Sequence, residues 1–273
     1  MQFSTATYPA TVIHIPHAST AIPKQIRRTL CLTDDELRHE LLIMTDRYTD
    51  ELFSLPENLA TAVRFPVSRL VVDPERFADD ECEPMASKGM GVIYTRTSGG
   101  NALRHDISPD EHRSLLDAYY VPHQEAVATA VGHALAAHGT CLLVDAHSFS
   151  SKPLPHEPDQ TPNRCQICIG TDDFHTPAQL VDWLRAAFER LGLAVGVNRP
   201  FSGTFVPTDF YRHDRNVASV MIEINRSLYM DEATGERLQS FGQFQAKLRQ
   251  VLSEMPKAAN KFGSGANKAI QLR

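Results

Sequence analysis

A chain of 273 residues, 42% hydrophobic and 22% charged, has the make-up of a soluble globular protein large enough to bury its own core. Its 27 Lys and Arg against 33 Asp and Glu leave a net charge of −6, which argues against a general binder of nucleic acid or anionic membrane but not against a local basic pocket. No apolar run approaches the ~20 residues of a membrane span, the N-terminus lacks the regions of a signal peptide, and five cysteines do not form an even disulfide set, so a cytoplasmic protein is expected.

In chain order, Thr11–Ile15 is β-branched and apolar and predicts a strand running straight into Pro16-His17-Ala18-Ser19-Thr20. His14 falls inside that strand and reads as structural. His17 lies beyond its end and is the better functional candidate. Thr33-Asp34-Asp35-Glu36 is a capping-box signal, predicting a helix through Leu37, Leu41 and Leu42 towards Leu52. Asp46 and Asp50, four apart, would then share a face, either as solvated acids or with one of them on a cation. Residues 59–65 predict a second strand. Arg69, Asp73 and Arg76 flank the apolar Leu70-Val71-Val72, and the acidic, Gly-bearing residues 79–91 predict a loop that covers a substrate.

Residues 109–137 predict a helix kinked at Pro122. It delivers the chain to a short apolar run, 140–144, that ends in Asp145-Ala146-His147-Ser148. Such a run fits a strand buried on both faces, with its chemistry just past the carboxyl end. Taken alone, His147 is as readily a strand cap as a ligand. After the polar, Pro-rich residues 150–163 come a strand at 165–170, a helix at 176–191 with Leu180, Trp183, Leu184 and Phe188 inward, and an extended stretch at 195–205. A strand at 219–225 carries Glu223, and a last helix is expected at 235–255. The tail from Pro256 has few large apolar residues and is expected to be loosely held. Cys165 and Cys168 have CxxC spacing but no second CxxC, and read as core thiols rather than a metal or redox pair. Strands alternating with helices predict a mixed, largely parallel sheet covered on both faces, in one domain over residues 1–273.

An ionised Glu223 inside an apolar strand is costly unless it is paired or faces a polar cavity. Either Arg226 neutralises it, or it sits beside a metal as a base that activates water. His17, His147 and an acid would make a three-ligand zinc site with one position left for water. There is no GxSxG elbow and no GxGxxG or GxxxxGK[ST] loop, which lowers serine-hydrolase and nucleotide-cofactor readings.

Several segments, taken together and in order, resemble the N-formylglutamate amidohydrolases, which release formate from N-formyl-L-glutamate late in histidine breakdown. They are Ile15-Pro16-His17-Ala18-Ser19, Thr45-Asp46-Arg47-Tyr48-Thr49-Asp50, Ser68-Arg69-Leu70-Val71-Val72-Asp73-Pro74-Glu75-Arg76-Phe77 and Asp145-Ala146-His147-Ser148. Asn198-Arg199-Pro200-Phe201-Ser202-Gly203 and Ile222-Glu223-Ile224-Asn225-Arg226-Ser227-Leu228-Tyr229 complete the set. That family is similar in fold to the zinc carboxypeptidases. The resemblance implies an α/β protein with a three-layer α/β/α build around a mixed, largely parallel central sheet. It further implies Zn2+ or another divalent metal on His17, Asp46 and His147, with Glu223 as the base and Arg69 at the oxyanion.

Arg76, Arg104, Arg212, Asn225 and Arg226 form the pool from which the substrate's carboxylates would be held. The carboxypeptidase pattern wants an acid three residues after the first histidine, where this chain has Thr20; Asp46 is therefore preferred as the acidic ligand, ahead of Asp50. Asp145 and Ser148 would orient the imidazole of His147. The implied partner is a small anionic N-acyl amino acid, with no nucleic acid or membrane. Two rivals stand beside this reading. One is an amidohydrolase for another N-acyl amino acid or small peptide; the other is a non-catalytic binder of an acidic metabolite that needs neither histidine.

Overall fold

The computed structural model describes residues 10–268, with side chains as far as residue 257. In chain order the elements are β1 (Thr11–Ile15), α1 (Lys24–Arg27), α2 (Asp34–Met44), α3 (Thr49–Leu52) and β2 (Thr61–Arg64). Next come α4 (Pro109–Leu115), α5 (Val121–His138), β3 (Cys141–Phe149), β4 (Ile167–Gly170), α6 (Ala178–Arg190), β5 (Val195–Val197), β6 (Val217–Asn225) and α7 (Phe241–Lys268). The strands form one six-stranded sheet in the order β2-β1-β3-β6-β4-β5. β2, β1, β3 and β6 run parallel, whereas β4 pairs antiparallel with β6 and β5 follows β4. This is the mixed, mostly parallel sheet that the alternation of strands and helices predicts.

Side-chain alternation along the central strands explains where the polar groups go. On one face, Ile13, Ile15, Leu142, Val144, Ala146, Val220, Ile222 and Ile224 join Leu184 and Phe188 of α6 and Leu248 and Leu252 of α7 in the largest core cluster. On the other face, Val12, Cys141, Leu143 and Val217 pack against Val127, Val131 and Ala134 of α5. Each such buried aliphatic side chain contributes roughly 2 kcal/mol. Farther along the strands this second face turns polar: His14 follows Val12, Asp145 and His147 follow Leu143, and on β6 Glu223 follows Ser219 and Met221. An apolar seam under α5 thus gives way to a titratable cluster towards the carboxyl ends of the parallel strands.

Three boundaries differ from expectation. α2 has its capping box, with Thr33 accepting from the Glu36 N–H and the Glu36 carboxylate accepting in return, but it stops at Met44. There the Asp46 N–H donates to the His17 carbonyl instead of continuing the helical ladder, and Tyr48 takes a left-handed conformation, φ 66°. Asp46 and Asp50 therefore do not share a helix face. β3 runs to Phe149, so His147 and Ser148 are paired strand residues, not a turn beyond the strand. The last helix begins at Phe241 and runs to Lys268, past Pro256.

Pro122 has the disruptive effect expected of it. It lacks an N–H for the helix ladder, and residues 116–120 just before it form a π-helical turn that separates α4 from α5. All five cysteines are free thiols, and those at 165 and 168 point their sulfurs at the Arg199 and Phe201 carbonyls. Among the described residues, no helix is long and apolar enough to cross a membrane.

Candidate metal and active site

His17, at the exit of β1, is buried, and its Nε2 lies 2.9 Å from Oδ1 of Asp73. A carboxylate has no proton to give at this distance, so Nε2 carries the hydrogen and Nδ1 keeps its lone pair. That Nδ1 is buried without a hydrogen-bond partner. Asp73 is itself fixed from behind: Arg69 donates to its Oδ2 from Nη2 at 2.6 Å and Nε at 3.2 Å, and the Tyr94 hydroxyl donates at 2.5 Å. Burial alone would raise the Asp73 pKa, but the charges of Arg69 and His17 hold it well below the carboxylate range.

A second chain of the same kind backs His147. Arg226 donates from Nη2 to Oδ1 of Asp46 at 2.8 Å, and Oδ2 of Asp46 lies 3.1 Å from Nδ1 of His147. Burial is again opposed, here by the hydrogen bond to His147, the nearby His17 ring with Nδ1 3.7 Å from Oδ2, and the charge of Arg226, and Asp46 stays ionised. The other ring nitrogen of His147 faces Oε2 of Glu75 at 3.0 Å and Oδ1 of Asp145 at 3.2 Å. Burial disfavours charge on His147, yet Glu75 and Asp145 raise its pKa well above the usual value.

Glu75 is the residue that sequence reasoning missed as a site residue. Its Oε2 is 4.0 Å from the bare Nδ1 of His17, and its side chain keeps 17% exposure where its neighbours have almost none. It therefore faces the way in. One signal was available: Asp73-Pro74-Glu75 closes an apolar run in polar groups just as Asp145-Ala146-His147 does. Among the described residues, the donor atoms of His17, Glu75 and His147 lie within 4.8 Å of one another and are positioned to hold a metal ion. Asp46 stands beside this trio with one oxygen committed to Arg226. An imidazole turned inward, its far nitrogen fixed by a carboxylate and its near nitrogen unpartnered, is the arrangement metal-binding histidines adopt.

Glu223 pairs in register with His147 across β3 and β6, is buried, and has an Oε2 without a partner. Burial is the largest influence on it, and together with the nearby Asp46 and Glu75 carboxylates it outweighs His147 and Arg226, raising its pKa to about 8. Arg226 thus pairs with Asp46 and does not neutralise Glu223 by contact.

The rest of the expected set divides. Arg69 lines the site through Asp73. Arg76 is loosely placed, 3.7 Å from Asp73 and 3.9 Å from Glu83, with a buried Nε that has no partner. Arg104 is buried under the apolar cluster around Leu70 and donates to the Leu70 and Val71 carbonyls, and burial lowers its pKa to about 10. Arg212 is exposed and pairs with Asp173 in the loop after β4. The Asn225 side chain donates to the Cys165 carbonyl and accepts from Ser227, capping a turn. Ser148 points to the opposite face from His147 and contacts Arg226, so of the two expected orienting groups only Asp145 reaches the imidazole.

The protein is thus of the α/β class, with a buried histidine–carboxylate cluster at its strand ends whose atoms are close enough to hold a metal ion. A family model described as N-formylglutamate amidohydrolase matches residues 10–230, so the chain belongs to that family and is a hydrolase. The fold is similar to the crystal structure of an N-formylglutamate amidohydrolase from Ralstonia eutropha JMP134, with TM-score 0.81, 22% identity and 96% of each chain covered. It is also similar to a gene product from Agrobacterium tumefaciens, with TM-score 0.65, 25% identity, and 94% of this chain and 92% of the other covered. No curated protein matches the chain.

Proposed function

We propose that this chain hydrolyses the formamide bond of N-formyl-L-glutamate to formate and L-glutamate, with a divalent cation on His17, Glu75 and His147. The observation that carries this reading is the buried, unpartnered Nδ1 of His17, turned towards His147 and Glu75 with Glu223 alongside. Two imidazole nitrogens and one carboxylate oxygen suit Zn2+. Glu75 replaces Asp46 as the acidic ligand, because Asp46 is better placed to orient His147 while Arg226 anchors it.

A cation held there would supply Lewis acidity to the amide carbonyl and would make an adjacent water more acidic. Glu223, buried beside His147 with an unpartnered Oε2, is placed to take the proton from that water. It then delivers the proton to the departing amino nitrogen. Arg69 uses Nε and Nη2 to hold Asp73, which leaves Nη1 for the developing oxyanion. Arg76, with an unpartnered Nε near Asp73, is the best-placed donor for a substrate carboxylate. Arg212, Asn225 and Arg226 are engaged in other bonds, and Arg104 bonds main-chain carbonyls through Nη2 while its Nε and Nη1 have no partner, so we rank Arg76 first among them.

Release of formate from N-formylglutamate belongs to histidine degradation, and five free thiols suit a reducing cytoplasm. The experiment is formate release measured against a panel of N-acyl amino acids, alongside metal analysis of the purified protein. Turnover of N-formylglutamate above its N-acetyl and non-acidic analogues is expected. A protein with no bound divalent metal and no formate release would overturn the reading.

A further inference from the structure

The site cluster continues past the trio already described. His14, one strand residue short of the β1 exit, is fully buried, and its Nδ1 lies 3.1 Å from Oδ1 of Asp145 and 3.4 Å from Oε1 of Glu75. Its far nitrogen, Nε2, lies 2.9 Å from Nε2 of His123 on α5. The His14 Nδ1 carries the hydrogen of the Asp145 contact, and a cation bound there would take that proton's place. His17 differs in that its Nδ1 has no hydrogen-bond partner, but both rings turn Nδ1 to the same glutamate.

Asp145 supports the pattern. Its Oδ2 accepts the main-chain N–H of Phe205 at 2.9 Å, which turns Oδ1 towards both His14 and His147. The donor atoms of His14, Glu75 and Asp145 lie within 4.8 Å of one another, as do those of His17, Glu75 and His147. The two trios share one residue, Glu75, and it offers a different oxygen to each: Oε1 faces His14, and Oε2 faces His17. Separations of 3.1 and 3.4 Å from the His14 nitrogen are those of neighbouring ligands on one ion whose bonds are about 2.1 Å long.

We propose that the site is dinuclear, with a second divalent cation held by His14, Asp145 and Glu75, and Glu75 bridging the two ions. The proposal rests on His17, Glu75 and His147 as ligands of the first ion. The second position is deeper: His14 is fully buried beneath the Phe205 ring, 4.4 Å away between centroids, so this ion is reached through the first site. It withdraws charge from Glu75 and Asp145, the two carboxylates that face His147.

The test is metal stoichiometry. Chelator-stripped full-length protein is titrated with Mn2+ and with Zn2+, and bound metal per chain is counted by mass spectrometry after desalting. Two equivalents are expected for the wild type, falling to one in His14→Ala and in Asp145→Asn. In the Mn2+ sample, two ions bridged by Glu75 give an exchange-coupled paramagnetic resonance spectrum, and either substitution returns that of isolated Mn2+. Wild-type protein that saturates at one equivalent, with Asp145→Asn unchanged, overturns the second site and leaves the proposed hydrolysis standing. Zero equivalents overturn both. If His14→Ala fails to fold, anomalous scattering from wild-type crystals grown with Mn2+ decides. Two peaks roughly 3.5–4 Å apart support the dinuclear site, and one peak refutes it.

Discussion

Each histidine of the first trio is backed by an aspartate, and each aspartate by an arginine: Arg69–Asp73–His17 on one side, Arg226–Asp46–His147 on the other. These relays separate the acids by role. An orienting carboxylate typically changes metal affinity by 10–100-fold, whereas a ligand changes occupancy outright. Asp46→Asn should therefore retain stoichiometric metal with affinity lowered about 10–100-fold, and Glu75→Gln should lose it under the same conditions; chelator competition reads the difference. The reverse order would return Asp46 to the ligand set.

Glu223→Gln should keep its metal while formate release falls by about 10²–10⁴-fold, the usual share of a general base. The same substitution has a pH signature in stability. The Glu223 carboxyl titrates at about 8 in the fold against an ordinary 4.5, so the folded state holds a proton that the unfolded state has lost between those values. Its contribution is complete below 4.5 and is lost as pH rises through about 8. In metal-depleted protein, the stability of Glu223→Gln relative to wild type should thus climb by about 1.4 kcal/mol per pH unit across that window, then level off. Denaturant unfolding at pH 5, 6.5 and 8 measures it, and a flat difference would mean that Glu223 is ionised throughout.

At the scale of elements, α2 shows what was legible and what was not. Its start is local chemistry: Thr33 and Glu36 exchange hydrogen bonds across one turn, and any sequence with that spacing announces them. Thr33→Ala should cost about 1 kcal/mol in unfolding free energy and leave metal content unchanged, since the cap lies far along the helix from Asp46. Its end is not local. Nothing in Met44-Thr45-Asp46-Arg47 forbids another turn; the stop comes from the His17 carbonyl, which takes the Asp46 N–H from a strand exit 29 residues earlier in the chain. The same contact carries Asp46 to His147, so the helix had to be read too long before Asp46 could be placed.

β3 misleads in the opposite direction. Asp145 and His147 look like a strand ending, yet they alternate with Val144, Ala146 and Ser148 and simply occupy the polar half of a face. His17 stood out in the sequence because it follows at once on an apolar run, and Glu223 because it interrupts one. Glu75 was not, because its role arises only when the segment after β2 folds back over β1 and β3.

Over the whole molecule, an acidic chain gathers much of its buried charge near the carboxyl ends of the parallel strands. Asp46, Asp73, Asp145 and Glu223 are buried there and Glu75 nearly so, while Arg69, Arg76 and Arg226 are the arginines set against them. Carboxylates in excess of arginines in so little solvent raise the free energy of the fold, unless protons or cations balance them. Protons already do so in part, through the raised pKa values of Glu223 and His147. A divalent ion that binds only the folded arrangement adds RT ln(1 + [L]/Kd), or roughly 2.7 kcal/mol at a hundredfold excess over Kd. For a domain somewhat above 250 residues, at about 2–4 °C per kcal/mol, stripping the metal should lower the melting temperature by about 5–10 °C, and restoring Zn2+ should recover it. The recovery should shrink as pH falls, because the ion must displace the proton of His147, whose pKa Glu75 and Asp145 raise, in order to bind. His17→Ala should show neither the loss nor the recovery at the first site. A melting temperature indifferent to chelator at every pH would mean that protons and arginines alone hold this cluster together, and the hydrolytic reading would lose its cation.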